Sequence, residues 1–307
     1  MEAASAAGTA LVNSVEAEPV KNFIWKLYEA MNGTMTEPLA YGRFHLSFLI
    51  PILLLTVVLS FLLRNAKDST LRWTLLFFWL VMVVSEIAEK FVLGTSISGD
   101  KLVFTYIWCN FPYQLCATGL WVLPFILVMQ ECKLRDYMMI YMGLYSFFGG
   151  FLVCMVPITV YSENIIVNVH TMLQHGSQVI IGIMLLVHNR KKLNIRSFLG
   201  ASAVFGVLVC LALGMNEFFY QAFTAYGTPG DFNMFYLSPY YDTDLPVFGV
   251  MQELVPWSVY VLMYVVGFMI ISFIIYFVAV LALHLADVKR YKRAEREAYD
   301  PSATPTN

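Results

Sequence analysis

The sequence predicts an all-α fold, a polytopic membrane bundle of seven transmembrane helices with its N-terminus outside and its C-terminus cytoplasmic. Composition is the first reason, since 59% of the 307 residues are hydrophobic and only 13% are charged. Globular proteins carry roughly 25% charged residues. The distribution is the second reason, because the apolar residues form long runs separated by short clusters of charge. These runs do not alternate as membrane β-strands do. A soluble single domain is therefore excluded.

Seven of these runs come close to the roughly 20 residues that one helix needs to cross the hydrocarbon core. The predicted spans are residues 44–63, 71–93, 111–129, 137–160, 169–188, 198–223 and 257–285. The membrane domain then covers residues 41–286. It follows an N-terminal lead-in of residues 1–40 and precedes a basic tail of residues 287–307.

Lys and Arg are distributed unequally between the two sides of this bundle. The connections after the first, third and fifth spans, together with the C-terminal tail, carry 14 of these residues, and the other side carries 5. Because cytoplasmic loops are enriched in Lys and Arg, the C-terminus is predicted to lie in the cytoplasm and the N-terminus outside. The formal net charge of −2 gives no electrostatic footprint for nucleic acid.

The segments outside the spans are also patterned. Phe23, Leu27 and Met31 recur at helical spacing, which predicts a short helix on the outer membrane surface. A loosely ordered lead-in is the alternative. The loop from residue 226 to residue 257 is long, acidic and aromatic. Its aromatic content favours packing at the membrane interface over disorder.

Polar residues within the predicted spans gather near the outer ends of four helices. Such residues are expensive in a membrane, so each needs an explanation. The layer contains Glu86, Glu89, Asn110, Gln114, Cys116, His170, Gln174, His175, Gln178, Asn216, Glu217, Tyr220 and Gln221. A single layer contributed by four helices predicts a common cavity that opens outward. The alternative is that each residue pairs with a neighbour, as Glu86 would with Lys90 at i,i+4.

Three residues of this layer are candidates for catalysis. His175 is a potential general base or acid, Glu217 would orient it, and Cys116 would act as a nucleophile if the histidine lies close. The predicted substrate-binding residues are Glu86, Gln114, Gln178, Asn216, Tyr220, Asn233 and Tyr236. No metal or cofactor is predicted, because His170 and His175 lie about 140° apart around a helix. Membrane lipids are the predicted partners.

Several spaced motifs resemble the YwaF family of integral membrane proteins over residues 41–281. Tyr41-Gly42-Arg43-Phe44-His45 opens the first span, and Glu86 lies in the second. The other matching motifs are Phe111-Pro112-Tyr113-Gln114-Leu115-Cys116, Lys133-Leu134-Arg135-Asp136, Gln174-His175-Gly176, Met215-Asn216-Glu217-Phe218-Phe219-Tyr220, Phe232-Asn233-Met234-Phe235-Tyr236-Leu237-Ser238-Pro239-Tyr240, Leu245-Pro246 and Val255-Pro256. The version in this chain is similar to the bacterial, Firmicutes-type branch, which implies a bacterial cytoplasmic membrane.

The YwaF family is in turn distantly similar to a vertebrate membrane protein described as a cysteine-dependent acyltransferase of ether phospholipids. This resemblance implies acyl transfer, with the family's histidine carried over to His175. Alignment on Pro112 places Tyr113 where that relative has its cysteine, and Cys116 follows three residues later. Three residues are nearly one helical turn, so Cys116 would still face the same cavity.

Three functions remain open at this point. The first is a lipid-modifying membrane enzyme that uses His175, Cys116 and Glu217. The second is a transporter, or a membrane protein that binds small molecules without catalysis. The third is a structural or accessory protein whose polar layer locks helices together. Transport requires access from both sides, whereas the polar residues in this sequence face one side.

Overall fold

The computed structural model describes residues 22–157, 160–227, 230–243 and 246–298. This part of the chain is mostly helical, with one two-stranded antiparallel hairpin. Its elements are α1 (Phe23–Met31), α2 (Arg43–Leu62), α3 (Asp68–Gly94), β1 (Thr95–Ser98), β2 (Lys101–Phe104), α4 (Gly119–Val128), α5 (Lys133–Tyr141), α6 (Phe147–Met155), α7 (Ile165–His188), α8 (Ile195–Tyr226), α9 (Pro246–Leu254) and α10 (Trp257–Ala298).

Four stretches of this helical structure are long and apolar enough to cross a membrane. They are Arg43–Leu62, Lys133–Met155, Ile195–Tyr226 and Trp257–Ala286. A shorter apolar helix covers Leu115–Val128. Helices α3 and α7, with 27 and 24 residues, are also long enough to cross a membrane. However, they carry many residues of the polar layer. The count of seven spans stays a prediction.

At two boundaries the helix stops short of the predicted span by four or five residues, and a proline accompanies each difference. The span predicted for residues 137–160 ends at Met155, two residues before Pro157. A residue that precedes proline is disfavoured in helical conformation, so helices end at such points. The span predicted for residues 111–129 becomes helical only from Leu115, after Pro112. The helix predicted near residues 23–31 is present as α1.

Helix α7 lies in the middle of the bundle, where it packs against α2, α3 and α6. Glycines allow this close approach. A Cβ atom at Gly150 of α6 would lie 2.7 Å from the carbonyl oxygen of His175, and one at Gly176 would lie 2.4 Å from Cδ1 of Ile52. Small residues bring membrane helices together in this way. The polar side chains of α7 consequently face protein.

One end of the bundle, the basic end, carries the connections α2–α3, α4–α5 and α7–α8. The connections meet there through side chains: Arg190 donates to the carbonyl oxygen of Arg64 at 2.6 Å and to Oδ1 of Asn65 at 2.6 Å. Lys192 pairs with Asp136 at 2.7 Å. The opposite end, the cavity end, carries the hairpin β1–β2 and the segment between α8 and α10.

A charge network around the buried Arg135 lies at the basic end. Asp68, at the first position of α3, pairs with Arg72 and with Arg135, each at 2.6 Å. Both arginines also cap the C-terminal carbonyls of α4: Arg135 donates to Ile126, and Arg72 donates to Leu127 and Met129. The last carbonyls of a helix have no partner within the helix, so this network, called the Arg135 network below, completes α4.

Candidate functional site

A polar cavity of about 640 Å³ opens at the cavity end. Its walls come from α3, the segment before α4, α7 and the segment between α8 and α9. The lining residues include Glu86, Glu89, Lys90, Cys109, Asn110, Gln114, Cys116, His170, Gln174, His175, Asp231, Asn233, Tyr236, Tyr241 and Asp242. The structure therefore brings together most of the polar layer identified in the sequence.

His175 is almost completely buried on α7 and lines this cavity. Its Nδ1 atom lies 2.7 Å from the carbonyl oxygen of Thr171. A carbonyl oxygen only accepts, so Nδ1 carries the proton and Nε2 of the neutral ring has the free lone pair. This tautomer is the one that a general base at Nε2 requires.

Cys116 lies in the short 3₁₀ turn Leu115–Ala117 that leads into α4, and it lines the cavity together with His175. Two contacts fix its backbone. Gln178 Nε2 donates to the carbonyl oxygen of Cys116, and Gly149 of α6 lies against its Cα, where a Cβ atom would be only 3.3 Å away. Tyr113, three residues before Cys116, is buried, and its hydroxyl donates to the carbonyl oxygen of Leu208 at 3.3 Å.

The two carboxylates of α3 share one lysine. Lys90 Nζ lies 2.7 Å from Glu86 and also contacts Glu89, which confirms the ion pair expected at i,i+4. His170 Nε2 is 3.5 Å from the other oxygen of Glu86. Glu86, Glu89 and His170 have donor atoms within 4.8 Å of one another, the atom types that a divalent cation accepts. Lys90 supplies the positive charge there.

Three glutamines near the cavity have buried amide atoms without a hydrogen-bond partner within the described part of the chain. Both polar atoms of Gln174 are buried and unpaired, and so are Oε1 of Gln114 and Oε1 of Gln178. Gln174 is only 2% exposed. Burying such a group without a partner costs roughly 1–3 kcal/mol, so the site carries unused hydrogen-bonding capacity.

The segment after α8 closes the cavity. Asn216 of α8 holds it, donating to the carbonyl oxygen of Met234 at 3.0 Å and accepting from the Met234 amide at 2.7 Å. The carbonyl oxygen of Asn233 accepts from Gln114 at 2.8 Å. Phe235 and Tyr236 have φ values of 57° and 58°. Bulky residues rarely adopt this conformation, and such strain clusters at functional sites. Burial raises the pKa of Tyr236.

Glu217 and Tyr220 lie outside the cavity. The Glu217 carboxylate is exposed and accepts from the Tyr240 hydroxyl at 2.6 Å and from Gln221 at 2.9 Å. Tyr220 stacks on Tyr240 with ring centroids 3.5 Å apart. The hydrogen bond to Glu217 raises the pKa of Tyr240. Glu217 therefore does not contact His175, and its predicted orienting role is not retained below.

The cavity also contains residues that the sequence reasoning did not single out. Asp231, Asp242 and Tyr241 come from the long aromatic loop, and Cys109 comes from the segment after the hairpin, next to the predicted Asn110. Burial and the nearby Asp231 raise the pKa of the Cys109 thiol and of the Tyr241 hydroxyl. The length and acidity of the loop were the only signals, because no helical periodicity exists to place loop residues.

A second, apolar groove of about 420 Å³ runs along the outside of α3 and α7. Phe77, Leu80 and Val84 line it and are exposed. His170 lines both this groove and the polar cavity. The groove and the cavity therefore meet at one side chain.

Residues 40–277 match the model of the TMEM164 family. The match covers more than half of the chain, so the chain belongs to the TMEM164 family, a family of membrane proteins. Its bounds are close to the residues 41–281 expected from the resemblance to the YwaF family. No curated protein matches the chain, and no solved structure matches it either. The YwaF name and a bacterial origin stay predictions.

Proposed function

We propose that this member of the TMEM164 family is a lipid-modifying membrane enzyme that transfers acyl groups in the polar cavity. In this proposal the bundle crosses the membrane seven times, through α2, α3, the helix at Leu115–Val128, the helix at Lys133–Met155, α7, α8 and α10. The excess of Lys and Arg at the basic end supports a cytoplasmic C-terminus. The cavity then opens on the outer side of a membrane, which in a bacterium would be the cytoplasmic membrane.

The meeting of the apolar groove with the polar cavity at His170 is the observation that carries this proposal. A phospholipid has apolar chains and a polar ester region, and the two spaces offer matching surroundings side by side. The exposed apolar residues of the groove face the position of the lipid chains. A purely structural polar layer would need no such groove.

His175 and Cys116 supply the chemistry in this proposal. His175 Nε2 takes the proton of the Cys116 thiol while the sulfur adds to the carbonyl carbon of a lipid ester. The ester C–O bond breaks, the imidazolium gives its proton to the departing oxygen, and the acyl group remains on sulfur as a thioester. A second lipid hydroxyl then attacks, passing its proton through His175 to the departing sulfur.

The remaining cavity residues would bind and orient the lipid. Nε2 of Gln174 would donate to an ester oxygen, and the free Oε1 atoms of Gln114 and Gln174 would accept from hydroxyl or ammonium groups of the headgroup. Asn233 and Tyr236 also line the cavity, and Gln178, which does not line it, holds the Cys116 carbonyl. Glu86, which pairs with Lys90, would mark the polar side of the boundary between the cavity and the groove.

Expression of the full chain in a host of known lipid composition tests the proposal. The wild type is expected to change the acyl profile of the host's lipids. His175→Ala and Cys116→Ala should reduce that change by about a hundredfold or more, as loss of a base or nucleophile does. The matched controls are His284→Ala and Cys210→Ala, which are exposed and lie outside the cavity.

The outcomes separate the steps of the mechanism. No lipid change with the wild type would overturn the enzyme for that host's lipids. Loss with His175→Ala but not with Cys116→Ala would retain base catalysis and remove the acyl-cysteine. If the controls lose the change as well, the effect is not specific to the cavity.

A second candidate is binding of a small polar molecule without catalysis. The unpaired Gln174 amide, which offers both a donor and an acceptor, favours it independently of His175. Thermal unfolding of wild type and of a Gln174 variant, with metabolite pools added, tests this candidate. It is supported if the host's lipid profile is unchanged and the pools shift the unfolding temperature of the wild type but not that of the variant.

Thiol labelling tests the orientation separately. Cys109 and Cys132 are both exposed, one at each end of the bundle. A membrane-impermeant maleimide is expected to reach Cys109 from outside only and Cys132 from inside only. The reverse pattern would overturn the topology and place the cavity on the inner side.

A further inference from the structure

Two arginines at the basic end have no carboxylate partner within the residues that the structure describes. Arg64 follows α2, and Arg190 follows α7; the ion pairs at this end use Asp68 and Asp136 with other cations. The Arg64 guanidinium lies over the Phe61 ring, 4.5 Å from its centroid. Two neighbouring positive charges without a counter-ion repel each other and attract an anion.

Arg190 is held in place and still has donors to offer. It donates through Nη1 to the carbonyl oxygens of Arg64 and Val187, and through Nη2 to Asn65. A guanidinium has five N–H groups, and these three bonds leave two without a protein partner in the described chain. A fixed guanidinium with free N–H groups suits a phosphate oxygen.

A buried hydroxyl lies in the same place. Arg64, Arg190 and Ser60 line a pocket of about 240 Å³ between α2, α7 and α10. Ser60 is 7% exposed, and its Oγ has no hydrogen-bond partner in the described structure. The pocket thus presents two cationic groups and one unused hydroxyl to a single small space.

An apolar groove continues from this pocket toward the middle of the bundle. It has a volume of about 380 Å³ and runs between α7, α10 and Phe147. Val187 and Leu283 line both the pocket and the groove. Ile274, Val278 and Ala282 form its α10 side. A cationic pocket and an apolar groove are therefore continuous at the end of the helices.

We infer that the basic end binds an anionic phospholipid, with its phosphate at Arg64, Arg190 and Ser60 and one acyl chain in the groove between α7 and α10. Basic pockets between membrane helices bind anionic headgroups in this manner. Free phosphate would use the pocket but not the groove, whereas a phospholipid uses both. The site lies at the opposite end of the bundle from the polar cavity, so it does not depend on the proposed acyl transfer.

Native mass spectrometry of the full chain in detergent tests this site with defined lipids. Dioleoyl phosphatidylglycerol is expected to bind wild type at least tenfold more tightly than dioleoyl phosphatidylcholine. The double variant Arg64→Gln/Arg190→Gln should weaken phosphatidylglycerol binding about twenty-five-fold, since each basic residue near an anionic lipid contributes about a factor of five. The single variant Arg64→Gln removes a guanidinium that lies over the Phe61 ring. It should weaken phosphatidylglycerol binding about fivefold.

The control has the same charge change at a different place. Lys67→Gln/Lys191→Gln alters two exposed basic residues of this end that do not line the pocket, and it should keep wild-type affinity within about twofold. An equal loss in both double variants would overturn the site in favour of diffuse surface charge.

A blocked groove distinguishes lipid from free phosphate. Ala282→Phe fills the groove without changing charge and should also weaken phosphatidylglycerol binding at least tenfold. If Ala282→Phe has no effect and millimolar inorganic phosphate displaces the lipid, the pocket is a phosphate site and the lipid assignment is wrong. Equal binding of the two lipids to wild type would also overturn it.

Discussion

The Arg135 network and the polar cavity bury polar groups in opposite ways. In the network, Arg72 and Arg135 both pair with Asp68 and both donate to the final carbonyls of α4. Around the cavity, Gln174 has no partner, and Gln114 and Gln178 each leave one oxygen unpaired in the described structure. Both regions contain buried polar side chains, yet only in the network are they all paired.

This difference distinguishes polar groups that stabilise the fold from polar groups that are available to a ligand. Buried polar groups are nearly always paired, so an unpaired one requires an explanation. The Arg135 network is explained by the fold, because it completes a helix end. The Gln174 amide makes no hydrogen bond within the described structure, so it is the better indicator of a ligand. Four substitutions test this contrast.

Arg135→Met should have the largest effect on stability. Arg135 is 2% exposed, and its loss leaves the Ile126 carbonyl uncapped and Asp68 with one partner fewer. Breaking a buried pair costs 3–5 kcal/mol, and we expect about 3 because Asp68 is partly exposed. The free energy of unfolding in mixed micelles with increasing dodecyl sulfate measures it. Lys192→Met, which breaks an exposed pair, should cost less than about 1 kcal/mol.

Gln174→Leu should change stability in the opposite direction. It removes an unpaired buried amide, which is worth about 1–3 kcal/mol when no partner is lost, while the acyl-profile change should fall by more than tenfold. The same unfolding assay and the lipid profile are compared on one preparation. Gln221→Leu, exposed and outside the cavity, is the control. A loss of stability in Gln174→Leu would mean that the fold uses this amide after all.

Asp231→Asn should have a smaller effect, on the reactivity of Cys109. Burial and the negative charge of Asp231 raise the pKa of the Cys109 thiol, so less of it is thiolate at neutral pH. Removing the charge lowers this pKa, and maleimide labelling at pH 7.5 should be about two- to threefold faster, as a fraction of one pKa unit gives. In the wild type, the labelling rate of Cys109 should increase with pH, and this increase should occur at a higher pH than for a thiol whose pKa is not raised. An unchanged rate would mean that Asp231 does not face Cys109.

Glu217→Gln should have the smallest effect. Its carboxylate contacts Tyr240 and Gln221 on the exposed face of α8, so the acyl-profile change should stay within about twofold, and exposed interactions of this kind contribute less than about 1 kcal/mol. A large loss of the lipid change, with stability retained, would return Glu217 to the catalytic site.

The sequence predicted that a polar cavity exists better than it predicted which residues line that cavity. Gln114, Cys116 and His175 line the cavity and were selected by their predicted depth in the membrane. Asn233 and Tyr236 also line it, but they lie in a loop and were selected by the motif of the resembling family. Glu217 has a comparable depth and lies outside. Depth follows from 1.5 Å per residue, but the direction in which a side chain points depends on how its helix is rotated against its neighbours.

Composition and periodicity along the chain were sufficient to identify a membrane protein and to locate its long apolar helices. The tertiary structure decided which polar groups share a space. Asn216 of α8 hydrogen-bonds the backbone of Met234, His170 of α7 approaches Glu86 of α3, and Gln174 is left unpaired in the described structure. These are contacts between residues distant in sequence or differences in helix rotation, which packing selects and which no one-dimensional pattern encodes.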